Sequence, residues 1–412
     1  MANILYLVHR MPYPPDKGDK VRSYHLLRHL VSRGHQVFLG TFVDDPADMV
    51  HLDRLRSMCA EVCAIPLRAS TAKIRSARAL VQDEPLTLRY YDHPEMHRWV
   101  RRVVQAQPMA AAVVFSSAMA QYAPDDGSVP MLLDLVDVDS AKWTGYAGAH
   151  GWPLSWLYRR EGEHLLDYER AAVKRSAHAF LVTSQEVALF ERLAPDCRGR
   201  VVALGNGVDA DYFSPSQPCN SPFRPDEIPL VFTGAMDYWP NIDAVSWFAQ
   251  TMLPALRTRY PTARFHIVGR NPSPAVRALA SDAVSVTGTV PDVRPYLRHA
   301  AAVVAPLRLA RGVQNKILEA MAMGRPVVCA DTCAQAIDAR DGVQLLAARH
   351  ADDYIAQIDS LLADPGRAEQ VGKIGRQFVL DHFSWEARLA PIDGCLDQLD
   401  ALTSRSVEGL AA

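Results

Sequence analysis

The sequence predicts an α/β protein built from two doubly wound parallel-sheet domains with a cleft between them. Three observations carry this expectation. Short apolar runs alternate with longer amphipathic ones, the pattern of parallel strands wrapped by helices. The 412 residues exceed what one ordinary core holds and suit two domains of roughly 200 residues each. One stretch crowded with Pro, Asn, Ser and Asp, LGNGVDADYFSPSQPCNSPFRPDEIP at 204–229, interrupts the alternation, which then restarts.

In the first half, the apolar runs place strands at Ile4–Val8, Gln36–Thr41, Glu61–Leu67, Ala111–Phe115, Met131–Leu135, Ala179–Thr183 and Val201–Ala203. Between the first two, Val21, Tyr24, Leu27 and Leu30–Val31 mark a helix over Asp19–Arg33, which Gly34 ends as a left-handed stop. Trp152–Arg175 reads as a long helix with charge on one side. In the second half, strands fall at Leu230–Thr233, Phe265–Val268, Val284–Thr287, Ala302–Ala305, Pro326–Cys329 and Val343–Leu346. Long helices fall at Ala244–Tyr260, Asn315–Met323 and Trp385–Leu402. The expected division is therefore 1–205, a linker at 206–229, a second domain at 230–383 and a terminal helix within 384–412.

Composition narrows the function classes. Hydrophobic residues at 49% and charged residues at 22% exclude a disordered chain. A net charge of −2 gives no overall attraction to nucleic acid or to an anionic membrane. The cations Arg68, Lys73, Arg75, Arg78, Arg89, Arg98, Arg101 and Arg102 are locally dense. They read either as a solvated helical surface or as a basic face meeting a lipid-linked or anionic acceptor at a membrane. Seven cysteines without CxxC spacing fit neither a disulfide framework nor a zinc site, and reduced cytoplasmic thiols are expected. The first apolar run, followed at once by charge and proline, reads as a buried strand and not as a secretion signal. No stretch approaches ~18 uncharged apolar residues, so any membrane contact would be peripheral.

In doubly wound sheets, ligands sit beyond the carboxyl ends of the strands. Gly234 and Gly269 follow two such ends, where a glycine lets backbone amides approach a phosphate or merely turns the chain. More specific is RLARGVQNKILEAMAMGRPVV at 308–328, a Gly-containing loop that opens a helix and is followed by a buried strand. Lys316 and Glu319 share one helix face. A cation there can neutralise a diphosphate, and a carboxylate one turn on can accept from vicinal ribose hydroxyls. The alternative is an ordinary exposed i,i+3 ion pair.

This stretch closely resembles the nucleotide-sugar-binding signature of the GT-B glycosyltransferases of family 4 (group 1), which carry a Glu-x7-Glu motif. LGNGVDADYF resembles that family's hinge, FTGAMDYWPNIDAV its first donor-domain strand and loop, and FHIVGRNPSPAVRAL with VSVTGTVPDVRPYL the strands that bracket the base. HFSWEARL resembles the start of its last helix, which crosses back to the N-terminal domain. Asn315-Lys316 with GAMDYWPN looks most like a bacterial exopolysaccharide branch, including sugar transferases linked to PEP-CTERM/exosortase systems.

The resemblance implies a GT-B fold of two Rossmann-like domains, the first binding the acceptor and the second the nucleotide-sugar donor. It implies transfer of a sugar to a glycan or lipid-linked acceptor, with retention of configuration, no metal and no cofactor. Domain closure would bring donor and acceptor together and exclude water. Glu319 matches the second motif Glu, which binds the donor ribose; the first falls at Arg311, a reversal of charge. Where the family places Arg and Lys after the first donor-domain strand, this chain has Ala235 and Asn241, so Arg308, Arg311 and Lys316 are expected to replace the missing cations. The donor side is expected to comprise Gly234, Gly269, Arg270, Val290, Arg308, Arg311, Gly312, Val313, Asn315, Lys316 and Glu319.

On the acceptor side, Gly18 lies in a loop resembling the family's glycine loop, with Arg22 following it. MLLDLVDVDSAKW ends a strand with Asp137 and Asp139, near where many relatives have a His. Asp137 is the candidate base toward an acceptor hydroxyl; hydrogen bonding to the sugar or helix capping are the alternatives. Asp137-x-Asp139 also looks like the metal-binding Asp-x-Asp of the other major glycosyltransferase fold, a pairing that recurs by chance. His9, His25 and His164 show no ligand spacing and read as structural or surface residues. The rival readings are an epimerase or hydrolase of the same architecture and a non-catalytic nucleotide-sugar binder.

Overall fold

A computed structural model of the chain describes residues 2–15, 18–76, 79–308 and 313–410. The chain divides into two compact units, one formed by 1–206 with 388–412 and the other by 207–387.

In the first unit the strands are β1 (Asn3–Val8), β2 (Gln36–Val43), β3 (Glu61–Pro66), β4 (Ala111–Phe115), β5 (Met131–Val136), β6 (His178–Leu181) and β7 (Val201–Ala203). They form one parallel sheet in the order β3-β2-β1-β4-β5-β6-β7. In the second unit, β8 (Ile228–Thr233), β9 (Ala263–Val268), β10 (Val284–Gly288), β11 (Ala302–Ala305), β12 (Val327–Ala330) and β13 (Leu346–Ala348) pair in the order β10-β9-β8-β11-β12-β13, again all parallel. In both sheets the chain starts centrally, winds to one edge and returns to the other side. Strands such as β4 and β11 are buried along their whole length, because helices cover both faces. Their continuous apolar runs are the sequence trace of that burial.

The expected elements recur with shifted ends. The last strand lies at Leu346–Ala348 instead of Val343–Leu346, because Asp341–Gln344 turns, with Gly342 at φ +75° and its amide on the Leu345 carbonyl. A short apolar run does not specify which of its residues pair. The helix expected over Ala244–Tyr260 starts earlier, at Trp239 with Pro240 in its first turn, and passes through a π-turn at Phe248–Met252. Pro254, at the start of the segment Leu253–Arg259, lacks the amide that a regular α-turn needs there. The terminal helix runs Trp385–Leu410.

The helix Gly18–Ser32 is bolted to the first sheet by buried charges. Arg22, 1% exposed, donates from Nε and Nη2 to Asp134 of β5 at 2.7 and 3.1 Å, and from Nη1 to Asn206 at 2.9 Å. Lys20, equally buried, lies 2.5 Å from Asp48. Arg22 was expected on the acceptor side; its guanidinium bonds Asp134 and Asn206, which ties the helix to β5. Breaking a buried pair leaves an uncompensated charge. Arg22→Met is therefore expected to cost about 3–5 kcal/mol in urea unfolding, and Arg22→Met/Asp134→Leu to recover most of that loss. A double variant no more stable than the single one would show that the pair is not what the single variant breaks.

Candidate functional site

The second unit brings three loops together at the carboxyl ends of its central strands. β8 runs into Gly234 and β9 into Gly269, at φ +155° and +154°, a region essentially confined to glycine. The two turns are stitched by Gly234 N–H to the Val268 carbonyl at 3.0 Å and Met236 N–H to the Arg270 carbonyl at 2.8 Å. A Cβ on Gly269 would lie 1.6 Å from the Gly234 oxygen. A Cβ on Gly234 would meet Asn241 Nδ2 at 2.8 Å and Lys316 Nζ at 3.0 Å. Neither turn has room for a side chain, and what crowds Gly234 is the polar end of the site.

Lys316 lies in the first turn of the helix Asn315–Ala322, whose Ile317, Leu318 and Met321 are buried against the sheet. Its ammonium donates to Asn241 Oδ1 at 2.5 Å and sits 4.3 Å from the centre of the Phe232 ring. Asn241, itself buried, donates in turn to the Ala235 carbonyl at 2.8 Å. Burial brings the Lys316 pKa down to about 8, against the opposing pull of Glu319. Burial pushes Glu319 up to about 7, with Lys316 acting in the other direction. The two do not form the i,i+3 ion pair that the sequence allowed, and among the described residues nothing hydrogen-bonds the Glu319 carboxylate. The site thus holds a cation aimed at the strand-end turn and, one helical turn on, a carboxylate with open acceptor positions. That set can bind a diphosphate and a vicinal diol.

Other expected donor residues are placed differently. Arg308 pairs with Asp243, Nε to Oδ2 at 3.0 Å, and its guanidinium lies 4.7 Å from the Trp247 ring centre. Its charge is therefore met by Asp243 and does not replace a cation at Gly234. Arg270 is exposed, and Val290 packs half-buried on the core. Val313 and Asn315 are exposed at the helix start, while Arg311 and Gly312 lie outside the described residues.

In the first unit, Gly18 opens the helix Gly18–Ser32. The end of β5 is bent sharply: Asp137 N–H reaches back to the Leu135 carbonyl at 2.9 Å across Val136, whose φ is +68°. This is the strained form of the γ-turn, in a β-branched residue. Pairing with β6 slips at the same point. The turn presents Asp137 and Asp139 to one ammonium, Lys142 Nζ, at 2.9 and 3.0 Å. The Asp-x-Asp pair thus already holds a cationic side chain. At the end of β1, His9 Nε2 lies 3.6 Å and Arg10 Nη1 2.6 Å from Asp19, whose pKa these two neighbours lower despite its burial. From the sequence His9 reads as a structural or surface residue, and no spacing there marks this cluster. Asn241 had a signal, an amide in the first turn of the helix after the Gly234 loop, but not its grip on Lys316.

Gly269→Ala is expected to lower Tm by several degrees, since the added methyl overlaps the Gly234 carbonyl and the strained φ costs about 1–3 kcal/mol. Gly394→Ala, in a helix with nothing within 4 Å of the added carbon, should be neutral or stabilising. Equal melting of the two variants would refute the tight turn.

Comparisons with known proteins bear on the family and the fold. Residues 227–364 match the model of the glycosyl transferases group 1. Over 268 residues the chain is 31% identical to the GDP-mannose-dependent alpha-(1-6)-phosphatidylinositol monomannoside mannosyltransferase of Mycolicibacterium smegmatis, covering 59% of this chain and 67% of that protein. Among solved structures, sucrose-phosphate synthase from Thermosynechococcus elongatus is similar at 18% identity and a TM-score of 0.59, over 98% of this chain and 100% of that one. Anabaena HepE, in complex with UDP and glucose, is similar at 13% identity and a TM-score of 0.57, over 97% and 100%. A relative matched over two thirds of its length, a signature segment spanning the Gly234–Glu319 site and two parallel-sheet units of GT-B form lead to one conclusion: the chain belongs to the group 1 glycosyltransferases.

Proposed function

We propose that the chain transfers a sugar from a nucleoside-diphosphate donor, bound at Gly234, Gly269, Lys316 and Glu319, to a glycan or lipid-linked acceptor in cell-surface polysaccharide assembly. The observation that carries the donor site is the ammonium of Lys316, held by Asn241 at the Gly234 turn, with the open carboxylate of Glu319 one turn on. In this reading the diphosphate lies against Lys316 and the glycine turns, and the ribose diol donates to Glu319. As the bond to the sugar breaks, negative charge grows on the leaving diphosphate, and Lys316 stabilises it. A protein cation in this place makes a divalent metal unnecessary. The relative's GDP-mannose and the UDP found with HepE favour a nucleoside-diphosphate hexose as donor.

The acceptor reading rests on Asp137, turned out by the strained γ-turn beside Lys142, as the carboxylate that receives the acceptor hydroxyl. The relative's phosphatidylinositol monomannoside acceptor favours a lipid-linked one here. Retention of configuration and the exopolysaccharide branch follow the sequence resemblance. We place the reaction on the cytoplasmic side of a membrane; among the described residues no helix is long and apolar enough to cross one.

The test is thermal stabilisation of the protein by UDP, GDP, ADP and dTDP, with and without magnesium, as a function of pH. Lys316 is charged below about 8 and Glu319 ionised above about 7. Affinity for the matching diphosphate should therefore be greatest between these values, falling as pH rises through the Lys316 pKa and as it drops through the Glu319 pKa. Lys316→Met should lower affinity about tenfold or more and remove the alkaline limb, and Glu319→Gln should remove the acid limb. No stabilisation by any of the four, or stabilisation indifferent to both substitutions, would overturn the donor site.

A further inference from the structure

The first unit carries an exposed aromatic surface that neither the donor site nor the acceptor carboxylates use. The helices Asp139–Ala149 and Leu154–Arg175 form an antiparallel hairpin. Its base is tightly made: Ser140 Oγ donates to Glu169 at 2.6 Å, and a Cβ on Gly162 would fall 2.3 Å from Thr144 Oγ1. Toward its tip the rings of Trp143, Tyr146 and Tyr158 pack on one another at 5.5–6.2 Å between centroids. Within this cluster Tyr146 is 52% exposed, and beyond it Trp152 is 83%, Trp156 54% and Leu154 44% exposed. Arg160, one turn after Trp156, donates to the Ala79 and Glu84 carbonyls at 2.9 and 3.1 Å. The segment before Glu84 therefore lies alongside the hairpin, and it adds Ile74 at 74% and Leu80 at 40% exposure.

Charge follows the same boundary. Between Asp139 and Glu161 there is no acidic residue, while Lys142, Arg159 and Arg160 fall there. Between Glu61 and Asp83 there is again none, while Arg68, Lys73, Arg75 and Arg78 do. Several cations are internally matched, Lys142 by Asp137 and Asp139, the buried Arg160 by Asp83, Arg89 by Glu84 and Asp92 and Arg102 by Glu61. Among the described residues this leaves Arg68, Lys73 and Arg159 as the exposed cations of the acid-free segments. Tryptophan and tyrosine favour the headgroup layer, where a ring meets apolar and wet surroundings together, and an acid-free basic rim is attracted by anionic lipid. A water-exposed cluster of this kind is unfavourable on a monomer unless something covers it.

We infer that the hairpin tip and the adjoining residues 68–76 and 79–80 form a docking surface for bilayers containing anionic lipid, with Trp152 and Trp156 entering the headgroup layer. The inference deepens the proposed function by making the acceptor a membrane-held one, and rests on that reading only for this consequence. The helix that carries the tip starts at Asp139, beside the candidate acceptor carboxylate Asp137. Its eleven residues set the tip about 16 Å from that carboxylate, a span that a lipid-linked glycan head can bridge.

The experiment is co-sedimentation of the full chain with vesicles of phosphatidylcholine alone and of phosphatidylcholine with 30% phosphatidylglycerol. Wild type should bind the anionic vesicles preferentially, with weaker binding at high salt and a blue shift of tryptophan emission. Trp152→Ser/Trp156→Ser should lower the partition constant about tenfold or more, and Ile74→Ser should lower it less. Stabilisation by the matching nucleoside diphosphate should be unchanged in both variants. Absence of binding to anionic vesicles, or variants that bind like wild type, overturns the docking surface. A wild-type dimer that becomes monomeric in the double variant, without vesicle binding, overturns it as well and gives the surface to a second copy of the chain. Vesicle binding and nucleotide stabilisation are read separately, so either can fail while the other stands.

Discussion

The proposed donor site depends on how closely two backbone turns approach each other. Gly234 and Gly269 end adjacent parallel strands, and the space between them excludes a single methyl group. That closeness aligns the turns, leaves Asn241 buried behind them and lets Asn241 hold Lys316 against Gly234. The lysine is thus fixed by an amide, an aromatic ring and a glycine, none of which balances its charge. A carboxylate partner would have made a more stable ion pair and a poorer anion site. The low-dielectric surroundings that depress its pKa also strengthen its pull on an incoming phosphate.

Two places in the fold treat buried charge in opposite ways. In the first, Arg22 pairs with Asp134 of β5 and Lys20 with Asp48 in the turn after β2, fastening the helix Gly18–Ser32 to the sheet and to that turn. Such pairs add rigidity and definition more than net stability. In the second, Lys316 and Glu319 lie on one helix face, each shifted toward its neutral form by burial, and neither closes on the other. Buried charges without a counter-charge cost stability in the free protein, and they occur where a ligand completes the network.

Much of this was readable in the chain. Each strand announces itself as an apolar run because a parallel sheet covered on both faces demands one. Lys316 and Glu319 were legible because helical spacing alone puts them together. What escaped was settled by partners distant in sequence. Arg22 is withdrawn from the surface by Asp134, 112 residues on, and Arg308 is claimed by Asp243, 65 residues back. No local pattern separates a buried arginine from an exposed one when its carboxylate comes from another element. The π-turn before Pro254 and the shifted last strand show the same limit at element ends, where packing decides among registers that the sequence leaves equal.

The terminal helix carries a consequence for how the chain is made. Its residues from 388 onward belong to the first unit, and Asp393 takes His29 at 2.8 Å and Arg33 at 2.5 Å across 364 and 360 residues of chain. The whole second unit is therefore threaded between two parts of the first. On a ribosome that releases the chain from its N-terminal end, the second unit can finish its sheet while the first still lacks its last helix. The earlier-synthesised unit is then the later one to be completed. A chain interrupted between residues 388 and 393 would carry a complete second unit and an unfinished first one, so termination there damages the two units unequally.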